Sequence, residues 1–143
     1  MFSKSCEYAI RAMMFIAYRS VDGFRTGIRE ISAGASVPEA FIAKILQELV
    51  RKGLVQSIKG PTGGFYLDKL SRNRKMADIV RAIDGDHLFT GCGLGLKNCS
   101  EKKPCPLHEE FKLIRKKIQL MMESKTIGEF NMELANGLMY LKR

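Results

Sequence analysis

Apolar residues recur every three or four positions along the early part of the chain, with polar residues between them, and this spacing is typical of amphipathic helices. Residues 6–17 form the first such pattern, which predicts a helix and makes Cys6 a core thiol. After a break at residues 22–23, Thr26 is placed to cap a short second helix and Gly34 to end it.

The strongest helical pattern extends from Pro38, which the first turn of a helix accepts, to Lys52, with Gly53 placed to stop the helix. One side is apolar and is predicted to be buried: Phe41, Ile42, Ile45, Leu46, Leu49 and Val50. The other side has small, charged or hydrogen-bonding residues: Glu39, Ala40, Ala43, Lys44, Gln47 and Arg51. A helix that enters a DNA groove needs such a side, but an ordinary solvated helix has one too, and this helix alone favours the solvated interpretation.

Two short strand patterns follow, over residues 54–58 and 65–67, and a basic, glycine-rich segment joins them. Its glycines do not indicate a phosphate-binding loop, because no Lys-Ser/Thr pair and no helix follow them. Two short helices, a longer helix and then a β-hairpin are typical of a winged helix-turn-helix, in which the longer helix enters the major groove and the wing contacts the backbone or the minor groove. The sequence therefore predicts a mainly α fold with a two-stranded β wing.

A further helix is predicted over residues 76–83, capped by Ser71 or Asn73 and ending at residues 84–85. Beyond a glycine- and cysteine-rich loop, apolar residues recur at intervals of four and three: Leu107, Phe111, Ile114, Ile118 and Met121. This narrow stripe favours a long C-terminal dimerisation helix, and packing of the stripe onto the chain's own core is the alternative. Residues 126–129 form a capping box for a last helix.

Three cysteines and a histidine lie close together in the sequence: Cys92, Cys99, Cys105 and His108. Such a set suits an iron–sulfur cluster or structural zinc, because soft sulfur donors select these metals over magnesium or calcium. A disulfide with a spare thiol ranks lower, since nothing else points to an oxidising compartment. The gaps between the ligands are wider than the close pairs of most zinc sites, which favours a two-iron cluster, with Cys3His zinc as the second candidate. A catalytic pair of Cys105 and His108 is disfavoured, because the sequence suggests no orienting third group and no oxyanion hole.

Composition and charge narrow the class of function. With 143 residues, 45% of them apolar, the chain has the size of about one domain. The net charge of +9 is uneven: residues 1–75 carry 13 basic and 6 acidic side chains, and residues 76–143 carry 11 and 9. The first half is therefore expected to face DNA, although an adaptor for an acidic protein would also be basic. No run approaches the roughly 20 apolar residues of a membrane span and no signal-peptide cleavage site is evident, so we expect a cytoplasmic protein that is not an enzyme.

Five stretches of the sequence resemble the bacterial winged-helix regulators typified by the IscR-like regulator of iron–sulfur cluster assembly: residues 3–9 (SKSCEYA), 28–31 (IREI), 45–55 (ILQELVRKGLV), 60–65 (GPTGGF) and 82–85 (AIDG). The family's ligand loop, in which the third cysteine opens a Cys-x-x-His motif, also matches here. The resemblance extends over residues 2–130. It implies a homodimeric DNA-binding repressor or activator whose DNA affinity depends on a bound iron–sulfur cluster, commonly 2Fe-2S.

The fourth ligand varies in this family between a histidine after the third cysteine and an acidic residue of the first helix, which the partner subunit supplies in some members. Both candidates are present, as His108 and Glu7. His108 follows Cys105 by three residues, so one helical turn brings both side chains to the same end. Glu7 would have to reach the loop through tertiary or dimer packing, and His108 is therefore the expected ligand.

The DNA-reading surface departs from the family's best-known member, because small residues and Lys44 replace more polar ones and Lys59 replaces the usual wing arginine. The operator is therefore expected to differ, as a pseudo-palindromic double-stranded site read by a homodimer. The expected DNA contacts are Pro38, Ala40, Lys44, Gln47, Arg51, Lys59 and Gly60. The expected organisation is a DNA-binding domain (residues 1–84), a cluster-binding loop (85–106) and a dimerisation helix with its tail (107–143).

Overall fold

Helix α1 (Lys4–Ser20) is the central element of the computed structural model, which describes residues 1–129. It is followed in chain order by α2 (Ile28–Ala35), α3 (Glu39–Arg51), β1 (Gln56–Ile58), β2 (Gly64–Tyr66), α4 (Lys69–Arg72), α5 (Met76–Asp84), α6 (His87–Thr90), α7 (His108–Ser124) and a 3-10 turn (Ile127–Glu129). Helices α2, α3 and α5 pack against α1 around the core. The mainly α fold with a two-stranded sheet agrees with the prediction. In the part of the chain that is described, the helices are too short or too polar to cross a membrane.

The first turn of α1 is joined to the end of α5. The hydroxyl oxygen of Ser3 accepts a hydrogen bond from the backbone N–H of Cys6 at 3.0 Å, which caps α1, and the hydroxyl donates to the carboxylate of Asp84. Cys6 is fully buried, as predicted. Burial, with a smaller effect of the negative charge of Asp84, raises the pKa of this thiol to about 12, so Cys6 is a neutral part of the core.

The start of α2 differs from the prediction. Gly27, and not Thr26, occupies the N-cap position. Thr26 is fully buried and forms two backbone hydrogen bonds of 2.9 Å with Phe65 of β2. A residue that is a good helix cap by type is used here as a strand partner, because the hairpin folds back onto this segment.

The end of α2 also differs, since Gly34 lies inside the helix and Ser36 stops it in a left-handed conformation (φ 53°, ψ 52°). The ring of Phe15 in α1 packs directly on Gly34, and a Cβ atom at this position would lie 2.2 Å from the ring. The glycine that suggests a helix end is therefore needed for close packing of two helices.

Helix α3 follows the predicted pattern with two differences. It begins at Glu39, so Pro38 occupies the N-cap and not the first turn. Phe41 is 52% exposed and lies beside the ring of Tyr8, at a centroid distance of 5.8 Å, on the edge of the core. Gly53 has a φ of 74° just after the helix, which confirms its predicted role in stopping it. The buried residues of α3 are Ile42, Ile45, Leu46 and Leu49.

The β-hairpin is shorter than the strand pattern predicts. Strands β1 and β2 pair antiparallel, while Leu54 and Val55 are buried in the core before β1 begins. The bridge between Thr26 and Phe65 fastens the base of the hairpin to the segment before α2. Residues 59–62 form the exposed tip of the resulting wing.

The helix predicted over residues 76–83 is α5, but its cap is not the predicted one. Ser71 lies within α4 and Asn73 ends α4. Helix α5 begins after Lys75, whose backbone N–H donates to the carboxylate of Asp78 at 2.9 Å. The first turn of α5 thus supplies its own acceptor, which makes an upstream cap unnecessary.

The predicted apolar stripe of α7 is partly buried along one edge and exposed along the other. Phe111 and Ile118 are partly buried against the chain's own loop and core, whereas Ile114 and Met121 are 51% and 52% exposed. Met122, next to Met121, is the residue that is buried near the end of the helix. Packing of the stripe onto the chain's own core, the alternative considered above, is therefore correct for one row, and a second apolar row remains on the outside.

After α7 the chain returns to the first half of the molecule. Arg81 of α5 lies 2.7 Å from the carboxylate of Glu123 in α7, and the backbone N–H of Ile127 donates to the carbonyl of Arg74 at 2.9 Å. The backbone N–H of Thr126 donates to the carboxylate of Glu129 at 2.9 Å, which is one half of the predicted capping box. The helix that this box is predicted to begin lies outside the described residues.

Candidate metal centre and nucleic-acid interface

The loop between α6 and α7 packs closely on both helices. Gly91 lies against the ring of His87 in α6, and Gly93 lies against the ring of Phe111 in α7. A Cβ atom at these glycines would approach ring atoms to 2.3 Å and 2.4 Å respectively, so only glycine allows the close packing. The start of the loop is thereby held against both α6 and α7.

The three loop cysteines converge on one point. Their sulfur atoms all lie within 4.8 Å of one another, and all three are free thiols. The sulfurs of Cys92 and Cys105 are 3.8 Å apart. Two thiolates on one tetrahedral ion, with metal–sulfur bonds of about 2.3 Å, would be separated by roughly the same distance. The structure therefore brings together the thiols that the sequence predicts as ligands.

Backbone groups of the loop stabilise the thiolate of Cys92. Hydrogen bonds from the backbones of Leu96 and Leu94, with help from the neighbouring thiols, lower the pKa of Cys92 to about 7. Cys99 is shifted the other way: the backbone N–H of Cys105 favours its thiolate, but burial and the two nearby thiols together outweigh this and raise its pKa. A loop that favours one thiolate near neutral pH is suited to metal binding, because the thiolate is the coordinating form.

His108 lies beside the thiols at the start of α7, where its backbone N–H donates to the carbonyl of Cys105 at 3.0 Å. Its side chain is only 9% exposed, and its Nδ1 lies 3.3 Å from the sulfur of Cys99. The other ring nitrogen, Nε2, has no hydrogen-bond partner among the described residues. The donor set at this point is therefore three sulfurs and one imidazole nitrogen.

Glu101, which sequence reasoning missed, lies on the far side of the imidazole. Its carboxylate is 3.6 Å from Nε2 of His108 and 2.5 Å from the ammonium group of Lys112. The hydrogen bond from Lys112 is the main reason that the pKa of Glu101 is lowered. No local sequence signal marks Glu101, because a loop residue can face a helix only once the tertiary structure has formed.

Glu7, the other candidate for the fourth ligand, is not close to the thiols in this chain. Its carboxylate pairs with Lys4 at 3.3 Å, and its side chain is 44% exposed. In residues 1–129, side-chain atoms that could bind a metal lie close together in two groups. One group is the three loop thiols, and the other is Glu101, His108 and Glu109. Within one subunit, His108 and not Glu7 is thus positioned to complete the thiol site.

The residues predicted to contact DNA all lie on the surface: Pro38, Ala40, Lys44, Gln47, Arg51, Lys59 and Gly60. Lys44, Gln47 and Arg51 share one side of α3, because they are three and four residues apart. Arg51 also pairs with Glu48 at 2.6 Å, and this hydrogen bond lowers the pKa of Glu48. The carboxylate of Glu48 therefore partly balances the charge of Arg51, on the same side of α3 as Lys44.

Arg25 is a further exposed basic residue beside the wing, and sequence reasoning missed it as well. The bridge between Thr26 and Phe65 brings the segment before α2 to the hairpin. There the guanidinium of Arg25 donates to the carbonyl of Thr62 at 3.4 Å and lies 5.8 Å from the ring centroid of Tyr66. Because 37 positions separate Arg25 from Thr62, no local pattern could have joined them.

Comparisons with known proteins agree with this architecture. The family model Rrf2, described as an iron-dependent transcriptional regulator, matches residues 2–131. A protein of Aquifex aeolicus, provisionally named an HTH-type transcriptional regulator, is 30% identical over 130 residues, which are 90% of this chain and 89% of that protein.

Two solved structures have a similar fold. The structure of CymR, the global cysteine regulator of B. subtilis, gives a TM-score of 0.74 at 21% identity and covers 92% of this chain and 95% of its own. The structure of T. potens IscR gives a TM-score of 0.72 at 21% identity and covers 97% of this chain and 91% of its own. The winged-helix fold predicted from the sequence is therefore confirmed.

Proposed function

Because the chain belongs to the Rrf2 family of transcriptional regulators, we propose that it is a DNA-binding regulator whose operator affinity is controlled by an iron–sulfur cluster of the 2Fe-2S type. The observation that carries this proposal is the convergence of three thiols and the imidazole of His108 in one loop and one helical turn. A cluster bound there would supply reversible electron transfer and a lability that a signal can exploit. Cys92, Cys99, Cys105 and His108 would hold it.

The donor set fits such a cluster. Imidazole replaces some of the cysteine ligands in a known class of two-iron centres, so mixed ligation is chemically sound. The ligand atoms form two close pairs, Cys92 with Cys105 at 3.8 Å and Cys99 with His108 at 3.3 Å. Cys92, Cys99, Cys105 and His108 would hold such a cluster, with the imidazole as the one ligand that is not sulfur.

A single zinc ion is the second candidate, and one observation favours it. The three sulfur atoms lie within 4.8 Å of one another, which is compact enough for one tetrahedral ion completed by His108. The description of the family as iron-dependent supports iron instead. Chemical composition decides between them, because a two-iron cluster contains inorganic sulfide and a zinc site does not.

For DNA binding we propose that α3 enters the major groove and that the wing contacts the sugar-phosphate backbone or the minor groove. Lys44, Gln47 and Arg51 would face the groove from the polar side of α3, and Lys59 would act from the wing. Arg25 joins this set, since it lies beside the wing and is exposed. A basic wing flanked by a second cation suits contact with phosphates, which carry most of the affinity of such proteins for DNA.

For assembly we propose a homodimer formed through the outer apolar row of α7. The row is formed by residues that are between 51% and 63% exposed in the single chain: Leu113, Ile114, Leu120 and Met121. Burial of such a row by a second copy is favourable, and two symmetry-related reading helices would match a pseudo-palindromic operator. We accordingly assign residues 1–84 to DNA binding, 85–106 to the cluster and 107–143 to dimerisation.

The metal assignment is tested by purifying the protein without oxygen and measuring iron, sulfide, zinc and the visible absorption spectrum. We expect iron and sulfide in the wild type, and their loss in Cys92→Ala, Cys99→Ala and Cys105→Ala. Cys6→Ala is the matched control, because it removes a thiol from the core and should leave the iron content unchanged. Stoichiometric zinc without sulfide would replace the cluster by the second candidate, and full iron in all three loop variants would exclude the loop as the site.

The control of DNA binding is tested by fluorescence anisotropy with DNA from upstream of the protein's own gene and with unrelated DNA. We expect the affinity for the upstream DNA to differ between cluster-loaded and chelator-treated protein by about tenfold or more, which is about 1.4 kcal/mol. Equal affinities would show that DNA binding does not depend on the cluster. Equal binding to both DNAs in either state would exclude a specific operator in that fragment.

A further inference from the structure

The two ring nitrogens of His108 have different surroundings. Nδ1 faces the sulfur of Cys99 at 3.3 Å, on the side of the thiols. Nε2 faces away from them and has no hydrogen-bond partner among the described residues, although the side chain is only 9% exposed. A buried ring N–H without an acceptor is costly, so a hydrogen on Nε2 would need an acceptor on this side of the ring.

Glu101 is placed to provide that partner. Its carboxylate lies 3.6 Å from Nε2, just outside hydrogen-bond distance, and its side chain is 66% exposed and free to make the small movement that closes the gap. Lys112 lies 2.5 Å from the same carboxylate. Because Lys112 follows His108 by four residues on α7, one helical turn presents the imidazole and the ammonium group to one carboxylate. Lys112 thus holds Glu101 beside the ring.

A metal-binding nitrogen cannot carry a proton, so a His108 that binds through Nδ1 must carry its proton on Nε2. We infer that Glu101 is a positioning residue for His108: its carboxylate accepts the Nε2 hydrogen, selects the tautomer with a free Nδ1 and directs that nitrogen toward the thiols. The inference rests on the proposed function, in which His108 is a ligand, and adds the residue that prepares it. Ligand histidines commonly donate their second N–H to a carboxylate in this way, and removing that partner costs about 10–100-fold in metal affinity.

A cation bound between Glu101, Nε2 of His108 and Glu109 is the competing interpretation, since ligand-type atoms of these residues lie within 4.8 Å of one another. The ammonium group of Lys112 disfavours it, because that group already pairs with the Glu101 carboxylate and would be repelled by a second cation. A hydrogen bond from the Nε2–H of His108 to Glu101 leaves the pair between Lys112 and Glu101 in place.

The first experiment measures the tautomer of His108 in the full chain without metal. The chain has two histidines, so long-range proton–nitrogen spectra of the wild type and of a His87→Gln variant assign both rings. We expect the Nε2–H tautomer of His108 in the wild type and in the control Glu109→Gln, and a mixture of tautomers in Glu101→Ala. An Nδ1–H tautomer in the wild type, or one tautomer population in all three proteins, overturns the inference.

The second experiment measures how fast a chelator removes metal from the loaded full chain. We expect Glu101→Ala to release metal at least about tenfold faster than the wild type, consistent with the drop in affinity when such a partner is removed. Glu101→Gln should be intermediate, because its amide oxygen still accepts a hydrogen bond but has no charge, and Glu109→Gln should match the wild type. Equal rates in Glu101→Ala and Glu109→Gln overturn the inference, as does an additional metal ion that both substitutions remove.

The two experiments separate this inference from the proposed function. A tautomer that depends on Glu101, in a protein that binds zinc and no iron, supports the role of Glu101 and overturns the iron–sulfur proposal. A cluster whose rate of loss is the same with and without the Glu101 carboxylate supports the iron–sulfur proposal and overturns the role of Glu101.

Discussion

At the scale of single residues, Gly34 reverses the usual rule for glycine in a helix. Alanine is ordinarily more stable than glycine in a helix by about 1 kcal/mol, but here a Cβ atom would lie 2.2 Å from the ring of Phe15. We expect Gly34→Ala to lower the free energy of unfolding by roughly 1–3 kcal/mol, as overpacking does elsewhere. Urea denaturation measures this, and the destabilisation should shrink in a Phe15→Leu background. A more stable Gly34→Ala protein would contradict the packing argument.

Cys6 gives a second prediction at this scale, for alkaline pH. An unfolded thiol ionises near pH 8.5, whereas folded Cys6 has a pKa of about 12. Between these values the unfolded chain binds fewer protons than the folded one, so the contribution of Cys6 is complete below the unfolded pKa and disappears as the pH rises. The difference in unfolding free energy between wild type and Cys6→Ala should therefore be smaller at pH 10 than at pH 7. A constant difference would show that Cys6 ionises normally in the fold.

At the scale of elements, the wing and the segment before α2 act together if Arg25 and Lys59 both bind phosphates. Neutralising one phosphate-binding side chain should reduce the slope of log affinity against log salt by about 0.9. We expect Arg25→Ala and Lys59→Ala each to show this reduction on specific and unrelated DNA alike. Lys116→Ala, which removes the same charge from the surface of α7, should leave the slope unchanged. An unchanged slope in Arg25→Ala would remove it from the interface.

The elements whose sequence patterns are local could be predicted, and the features that depend on distant segments of the chain could not. Helices α1 and α3 and the wing follow from apolar spacing and glycines, and the proximity of His108 to Cys105 follows from one helical turn. The use of Thr26 as a strand partner, and the positions of Glu101 and Arg25, depend on packing with distant segments. The partial exposure of the α7 stripe also depends on distant segments, because packing against α5 and α6 decides which apolar residues are covered. Local spacing carries no information about such partners.

At the scale of the whole molecule, the outer row of α7 predicts the oligomeric state. We expect Ile114→Glu to shift the protein from dimer to monomer in sedimentation velocity, because a buried charge without a partner is costly at an apolar interface. Lys69→Glu, which introduces the same change of charge on the exposed surface of α4 and outside α7, is the control and should remain dimeric. Circular dichroism should show the same helix content in both variants. A dimeric Ile114→Glu protein would place the interface elsewhere.

The anchoring of the cysteine loop has a consequence for how such proteins diversify. The loop begins and ends beside helices whose positions are set by other interactions, since Arg81 ties α5 to α7 and Ile127 returns to Arg74. Mutations within the loop, other than at the packed Gly91 and Gly93, can therefore accumulate without rebuilding the half of the molecule that reads DNA. After gene duplication, one copy could acquire a new stimulus while it keeps its old set of genes, and changes on the outer side of α3 could redirect an unchanged sensor to new genes.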